Sequence, residues 1–189
     1  SHNPTLCAQY HCDKHVVKMI LETAQILCTV LHKKGFEVSY KPTHKNHPCV
    51  LWAEKNIIHF RWLCHLGIAL SDEYTFRYKK THSSYSVILE CYNLFSSISV
   101  QKTFAIGGFE EPPLCMPEKY KKRKSNNIDA YRQYYIGEKY SFAKWERGRG
   151  KPIWFHYKSI RVCILQLRFE VRLILQEIQN ECMRSRLIW

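Results

Sequence analysis

The chain has 189 residues, and 29 Lys plus Arg against 16 Asp plus Glu give it a formal net charge of +13. That imbalance excludes an acidic solvating protein and points to a polyanionic partner. A hydrophobic share of 46% with 14% aromatics excludes wholesale disorder, and seven Gly with seven Pro are too few for a turn-rich sandwich or barrel.

The expected fold is therefore all-α. Its expected organisation is one basic helical domain over residues 1–155, followed by a helical extension over 156–189. Cysteine is abundant at nine, an odd number, and scattered. Cys12, Cys28, Cys49, Cys64 and Cys91 sit in apolar or helical patterns and read as reduced core cysteines. No CxxC pair supports a zinc ribbon. Neither a signal peptide nor an apolar run of membrane-spanning length is present, so the expectation is a reducing intracellular compartment without membrane association.

In chain order, the first periodic segment runs over 8–32. At 100° per residue His11, His15, Lys18, Glu22, Gln25 and Thr29 share one narrow polar stripe, while most of the remaining circumference is apolar. A surface helix normally shows a wide polar face, so this one reads as a helix that is otherwise buried. Residues 33–46 connect, with Gly35 as C-cap and Pro42 as breaker. Pro48 opens a second helix continuing to about 78, in which Glu73 and Arg77 are spaced to pair. A shorter helix is expected over 85–95, then a loop marked by Gly107, Gly108, Pro112 and Pro113. The basic run 121–124 leads through a turn or cap at 125–127 into a helix over 128–146. Beyond Phe155, Ile160, Ile164, Leu167, Val171, Ile174 and Ile178 alternate by four and three. That is a coiled-coil-like seam able to dock on the core or to pair two copies of the chain.

Three constellations carry chemistry. On the first helix, His11, His15, Lys14, Lys18 and Glu22 offer a general base, an electrostatic clamp and a Schiff-base amine; the bland alternative is a solvated stripe. The loop 43–48 places His44, Lys45 and His47 before a helix N-terminus, where phosphate is favoured, although a capped polar loop accounts for the same residues. The third is basic and aromatic together: Lys121, Lys122, Arg123, Tyr131, Arg132, Tyr134, Tyr135, Lys139 and Trp145, with Arg77 added. Cations neutralise phosphates and rings stack on unpaired bases. No cofactor is expected. The alternative is zinc or iron held by His11, His15, Glu22, His44 and His47, although the HExxH and facial-triad contexts are absent.

The blocks 9–19 (QYHCDKHVVKM), 43–49 (THKNHPC), 73–75 (EYT) and 130–135 (AYRQYY) resemble a family of phage and bacterial proteins over residues 3–155. The resemblance names no reaction. It implies that members begin with a short strand-like stretch preceding Asn3 and end near Trp154 and Phe155. More distantly, the element order is similar to the phage-type pyrimidine-dimer DNA glycosylases, which are small, basic and all-helical. The stretch 116–121 (MPEKYK) looks like their Pro-Xaa-Glu-aromatic-basic segment, and 134–137 (YYIG) is similar to their Tyr-Tyr-Gly DNA-contacting segment with one insertion. Those enzymes attack the sugar C1′ with an N-terminal amine, assisted by a glutamate early in a helix. Here Ser1 stands where threonine is expected, and no Arg-Glu-Leu-Pro-Arg block occurs.

The reading that follows is an enzyme acting on nucleic acid, most concretely DNA base excision of glycosylase/lyase type on damaged or modified pyrimidines. Glu22 is the expected stabiliser of the sugar cation and Lys14 or Lys18 the amine. His15, His44, His47 and Arg132 would clamp phosphates, and Tyr131, Tyr134 and Trp145 would stack on an extruded base. DNA is the expected partner, with RNA or a nucleotide in reserve and a second copy of the chain a further partner through the C-terminal helix. The rival readings are a metal-dependent hydrolase or oxygenase and a non-catalytic DNA- or RNA-binding protein.

Overall fold

A computed structural model of the chain describes residues 1–121, 126–156 and 171. Lys122 and Arg123, and nearly all of the expected C-terminal seam, lie outside the described residues. The backbone falls into two units, residues 1–151 and 152–189. In the second, the described portion forms one 3-10 turn, Ile153–His156.

The first unit is all-α, and no strand occurs among the described residues. Its helices are α1 (Pro4–Tyr10), α2 (Asp13–Lys33), α3 (Pro48–Lys55), α4 (Ile57–Tyr78), α5 (Tyr85–Phe95), α6 (Ile98–Gln101), α7 (Glu118–Lys121) and α8 (Asn127–Glu138). The core lies where α2, α4 and α5 pack. Ile20, Leu27, Leu31, Phe60, Leu70, Ile88 and Phe95 are buried there. Gly67 lets α4 approach closely, since a Cβ at that position would stand 3.0 Å from methyls of both Thr23 and Ile88. The Cys28 and Cys91 sulfurs meet at 3.5 Å across α2 and α5, as expected of buried thiols.

Several boundaries fall where local chemistry puts them. Pro48 takes the first turn of α3, and Gly35, at φ +86°, follows α2 in the left-handed conformation that favours glycine. Asn126 caps α8 by accepting from Asp129 N.

Three expected helices are interrupted or shortened. The segment 8–32 breaks at His11 and Cys12, because Asp13 is drawn into a buried network. Its N–H donates to Lys144 O at 2.8 Å, and its carboxylate accepts from Arg77 and from Glu146 N at 2.9 and 2.8 Å. The segment 48–78 breaks at Asn56, whose side chain accepts from Ile58 N and His59 N to start α4 afresh. Asn56 Nδ2 donates to Gly108 O, and the Ile57 N–H donates to Ala105 O, so the break holds the 105–111 loop. The segment 128–146 ends at Glu138, after which 144–146 runs back along Asp13.

That loop is fastened further. His59, fully buried, donates Nδ1–H to Trp52 O and accepts from Glu110 N at 2.9 Å each, while Trp52 Nε1 donates to Glu110 O. The loop leads on to Cys115, whose sulfur lies 3.7 Å from that of Cys49 in the first turn of α3.

Candidate active site

The polar stripe of α2 is covered at its two ends and open between them. At its C-terminal end Thr29 is buried, donating to Thr43 O and accepting from Thr43 N, which seats the 43–47 loop on α2. At its N-terminal end the Tyr135 hydroxyl of α8 meets His15 Nδ1 in a short hydrogen bond. Between the two, Lys18 Nζ lies 3.1 Å from Glu22 Oε1, with both side chains substantially open to solvent. The charge of Glu22 reaches Cys49 on α3. The stripe thus lies beside three other parts of the fold and is not a uniformly solvated face.

His15 is strongly perturbed. Burial, then the neighbouring charges of His11, Lys139 and Lys18, lower its pKa from 6.5 to about 4. Tyr135 is pushed the other way, chiefly by burial, and keeps its proton. The pair is therefore a protonated phenol hydrogen-bonded to a neutral imidazole, with the same hydroxyl accepting from Cys12 N and facing Cys12 Sγ, each at 3.3 Å. A neutral His15 is no cationic phosphate clamp, which corrects that expectation; it is an oriented hydrogen-bonding group. Two-dimensional NMR of the imidazoles should give His15 a midpoint near 4, and a midpoint at the ordinary value would contradict this geometry. Above 6.5 the ring is neutral folded or unfolded, whereas between 6.5 and about 4 only the unfolded chain takes the proton, so stability falls as pH drops through that window.

The other expected residues divide. His11 donates Nδ1–H to Cys7 O at 2.7 Å, closing the end of α1. Lys14 is exposed, its ammonium 5.6 Å from the Phe142 ring. His44 and Lys45 are exposed on the loop, and His44 bonds Thr43 Oγ1. On α8, Tyr134 lies under the Lys139 ammonium at 4.9 Å and edge-on to Tyr120. Arg132 pairs with Asp129, and Lys121 pairs with Glu118. Tyr131 donates to Pro113 O at 2.7 Å and accepts from Cys115 N at 3.2 Å.

Two expectations are corrected outright. Arg77 does not face DNA: its side chain is fully buried, with donors engaged by Asp13, Glu73 and the His11 and Gln9 carbonyls. Trp145 is buried too, so its ring belongs to the core and offers no face to an extruded base. The metal alternative is also redrawn. Of His11, His15, Glu22, His44 and His47, only His47 belongs to a ligand-like cluster among the described residues, and its companions are Cys49 and Cys115. His11 and His15 have ring nitrogens turned to Cys7 O and Tyr135. Cys49, expected as a core cysteine, is half-buried, with its sulfur 3.7 Å from that of Cys115. Burial, then Cys115 and Glu22, push its thiol up to about 12.

Sequence reasoning missed the His15–Tyr135 pair, the Asp13 and Arg149 ends of the ionic network, and Cys115. The block 9–19 held the one local sign, an aspartate beside two histidines where an amphipathic helix should simply continue.

A basic all-helical fold with a carboxylate, an amine and a hydrogen-bonded imidazole along one helix is suited to a polyanionic partner. The comparison with protein families agrees: residues 1–86 match the family described as pyrimidine dimer DNA glycosylase. The matched segment includes α1 to α4, the whole stripe and the 43–49 loop. It supports a DNA glycosylase acting on pyrimidine dimers, with DNA as partner. No curated protein and no solved structure matches the chain. Among the described residues no helix is long and apolar enough to cross a membrane.

Proposed function

We propose that the chain excises pyrimidine-dimer bases from DNA by a glycosylase/lyase reaction centred on Lys18 and Glu22. The observation that carries this is the Lys18–Glu22 contact on α2, inside the segment that matches the glycosylase family. In this reading the Lys18 ammonium first gives up a proton to solvent, and the free amine attacks the sugar C1′. The glycosidic bonding electrons leave with the pyrimidine base, which takes up a proton. Glu22, on the same face, stabilises the positive charge that develops at C1′ and O4′. The nitrogen then loses a proton and the sugar ring opens to a Schiff base. Lys14, one turn earlier and exposed, is the second candidate amine.

Beyond this pair the chain offers a neutral hydrogen-bonding histidine, His15, and cations suited to phosphates: Lys45 and Lys139, with His44 on the same loop as Lys45. Tyr134, half-buried beneath Lys139, is the ring available to a base. Tyr131 acts through its hold on the Cys115 segment and is a positioning residue.

Borohydride trapping on UV-irradiated duplex DNA tests the reading, because hydride reduces the Schiff base to a stable secondary amine. The expected result is a covalent adduct on irradiated duplex, none on undamaged duplex, and loss of the adduct in Lys18→Ala or, if the second amine is used, in Lys14→Ala. An abasic duplex run alongside reports amines that trap an open sugar non-specifically. No adduct on irradiated DNA would remove the Schiff-base mechanism and leave a DNA-binding protein.

A further inference from the structure

The geometry points to a metal site that the glycosylase reading does not use: we propose that His47, Cys49 and Cys115 bind one thiophilic divalent cation, Zn²⁺ by preference. Their ligand atoms all lie within 4.8 Å of one another. Two come from the start of α3, flanking Pro48, and the third from the loop before α7, 66 residues further on.

The sulfur separation fits a shared cation, and the third ligand beside it distinguishes this pair from Cys28 and Cys91, whose sulfurs stand 3.5 Å apart. Cys49 and Cys115 stand 3.7 Å apart. Two thiolates at ~2.3 Å from a tetrahedral Zn²⁺ are separated by about 3.8 Å, the edge of that tetrahedron. A disulfide would instead require about 2.05 Å. The two sulfurs already have the spacing of a shared cation. A third ligand at His47 completes a Cys₂His set, and that donor set, soft sulfur with imidazole, selects zinc over magnesium or calcium.

The support around the ligands fits the same role. The Tyr131 hydroxyl accepts from Cys115 N and donates to Pro113 O, which fixes the backbone that presents the Cys115 sulfur. Outer-shell hydrogen bonds of this kind orient ligands in metal sites. Cys49 sits in the first turn of α3, directly after Pro48, so its backbone is held by the helix. His47 Nδ1 accepts from Cys49 N at 3.2 Å. Metal binding through either ring nitrogen gives up that one long hydrogen bond, a small loss against three metal bonds.

The charge balance closes. Binding replaces two thiol protons with one dication, two protons pass to solvent, and the Zn(Cys)₂His unit is neutral. Three protein ligands leave a fourth position for water. The site ties the loop before α7 to the head of α3.

The test uses the full chain, reduced with a phosphine and freed of metal, and titrated with Co²⁺. The expected result is one equivalent bound with a thiolate-to-cobalt charge-transfer band and tetrahedral d–d bands, both displaced by Zn²⁺. Cys49→Ser and Cys115→Ser should each abolish the charge-transfer intensity that depends on the pair and weaken binding at least tenfold; His47→Ala should weaken it similarly. Circular dichroism of the metal-free variants checks that they fold. The proposal is overturned if reduced protein gives no such band, if the band survives in the Cys49→Ser/Cys115→Ser double variant, or if mass spectrometry finds the two cysteines cross-linked in protein that takes up no cobalt.

Discussion

Glu22→Gln should lower base excision by about 10²–10⁴-fold while duplex DNA binding stays equal or becomes tighter. The two effects separate because of where Glu22 sits. Its side chain is 40% exposed and its ion pair with Lys18 is a solvent-screened contact within one helix. Such pairs contribute under about 1 kcal/mol, so the fold does not depend on this carboxylate. Glutamine keeps the volume and a hydrogen bond to Lys18 but carries no negative charge to set against a sugar cation. Binding moves the other way, since a chain of formal charge +13 gains a further unit of positive charge toward a polyanion. Excision kinetics on irradiated duplex, with binding isotherms at matched salt, measure both. Retained turnover would remove Glu22 from the mechanism. Binding and turnover lost together would mean that the substitution acts on the DNA interface.

The parts of this site that were legible in the sequence are those encoded within a few turns of helix. Glu22 and Lys18 share a face because they are four residues apart, and Pro48 and Gly35 mark helix ends through their own backbone preferences. The 85–95 helix was readable to its ends for the same reason. Periodicity failed where a distant segment competes for the backbone. An aspartate beside two histidines is the one local sign near Cys12, and it does not say that Asp13 N will donate to Lys144 O, the hydrogen bond that splits the first helix. Asn56 likewise reads as one more helix residue until the 105–111 loop claims its amide. The Glu73–Arg77 pair was visible as an ordinary (i, i+4) contact. Its burial was not, because the groups that seal it, Asp13 and Arg149, are far away in the chain. Cys49 shows the same limit from the functional side: alone in sequence it is one more apolar-looking cysteine, and only the fold sets Cys115 beside it.

The sealed network carries the largest stability effect. Arg77→Ala should destabilise the chain by about 3–5 kcal/mol, because it leaves buried carboxylates without their cation. Arg77 Nε lies 2.7 Å from Glu73, Nη1 is 2.9 Å from both Asp13 and His11 O, and Nη2 is 3.0 Å from Gln9 O. Burial alone would push Glu73 up, and the hydrogen bonds and charges of Arg149 and Arg77 together hold it below the ordinary carboxylate range. A carboxylate depressed in this way stabilises the fold above its unfolded pKa, and that contribution is lost as pH falls through the folded value. Arg77→Lys should rescue little, since an ammonium cannot span Asp13, Glu73 and two carbonyls in one plane. Arg149→Ala is the milder comparison. Its guanidinium is one-third exposed, it leaves Arg77 on Glu73, and a loss of about 1 kcal/mol is expected. Urea unfolding of the three variants gives the ranking; if Arg77→Ala falls below the cooperative transition, Arg77→Lys against Arg149→Ala still decides it. The network also sets the turn between α1 and α2, directly before His15. Folded Arg77→Lys should therefore show a His15 midpoint displaced from about 4 toward 6.5, as the ring loosens from Tyr135. Equal stability of Arg77→Lys and wild type, with His15 unmoved, would show that the network neither holds the fold nor aims the histidine.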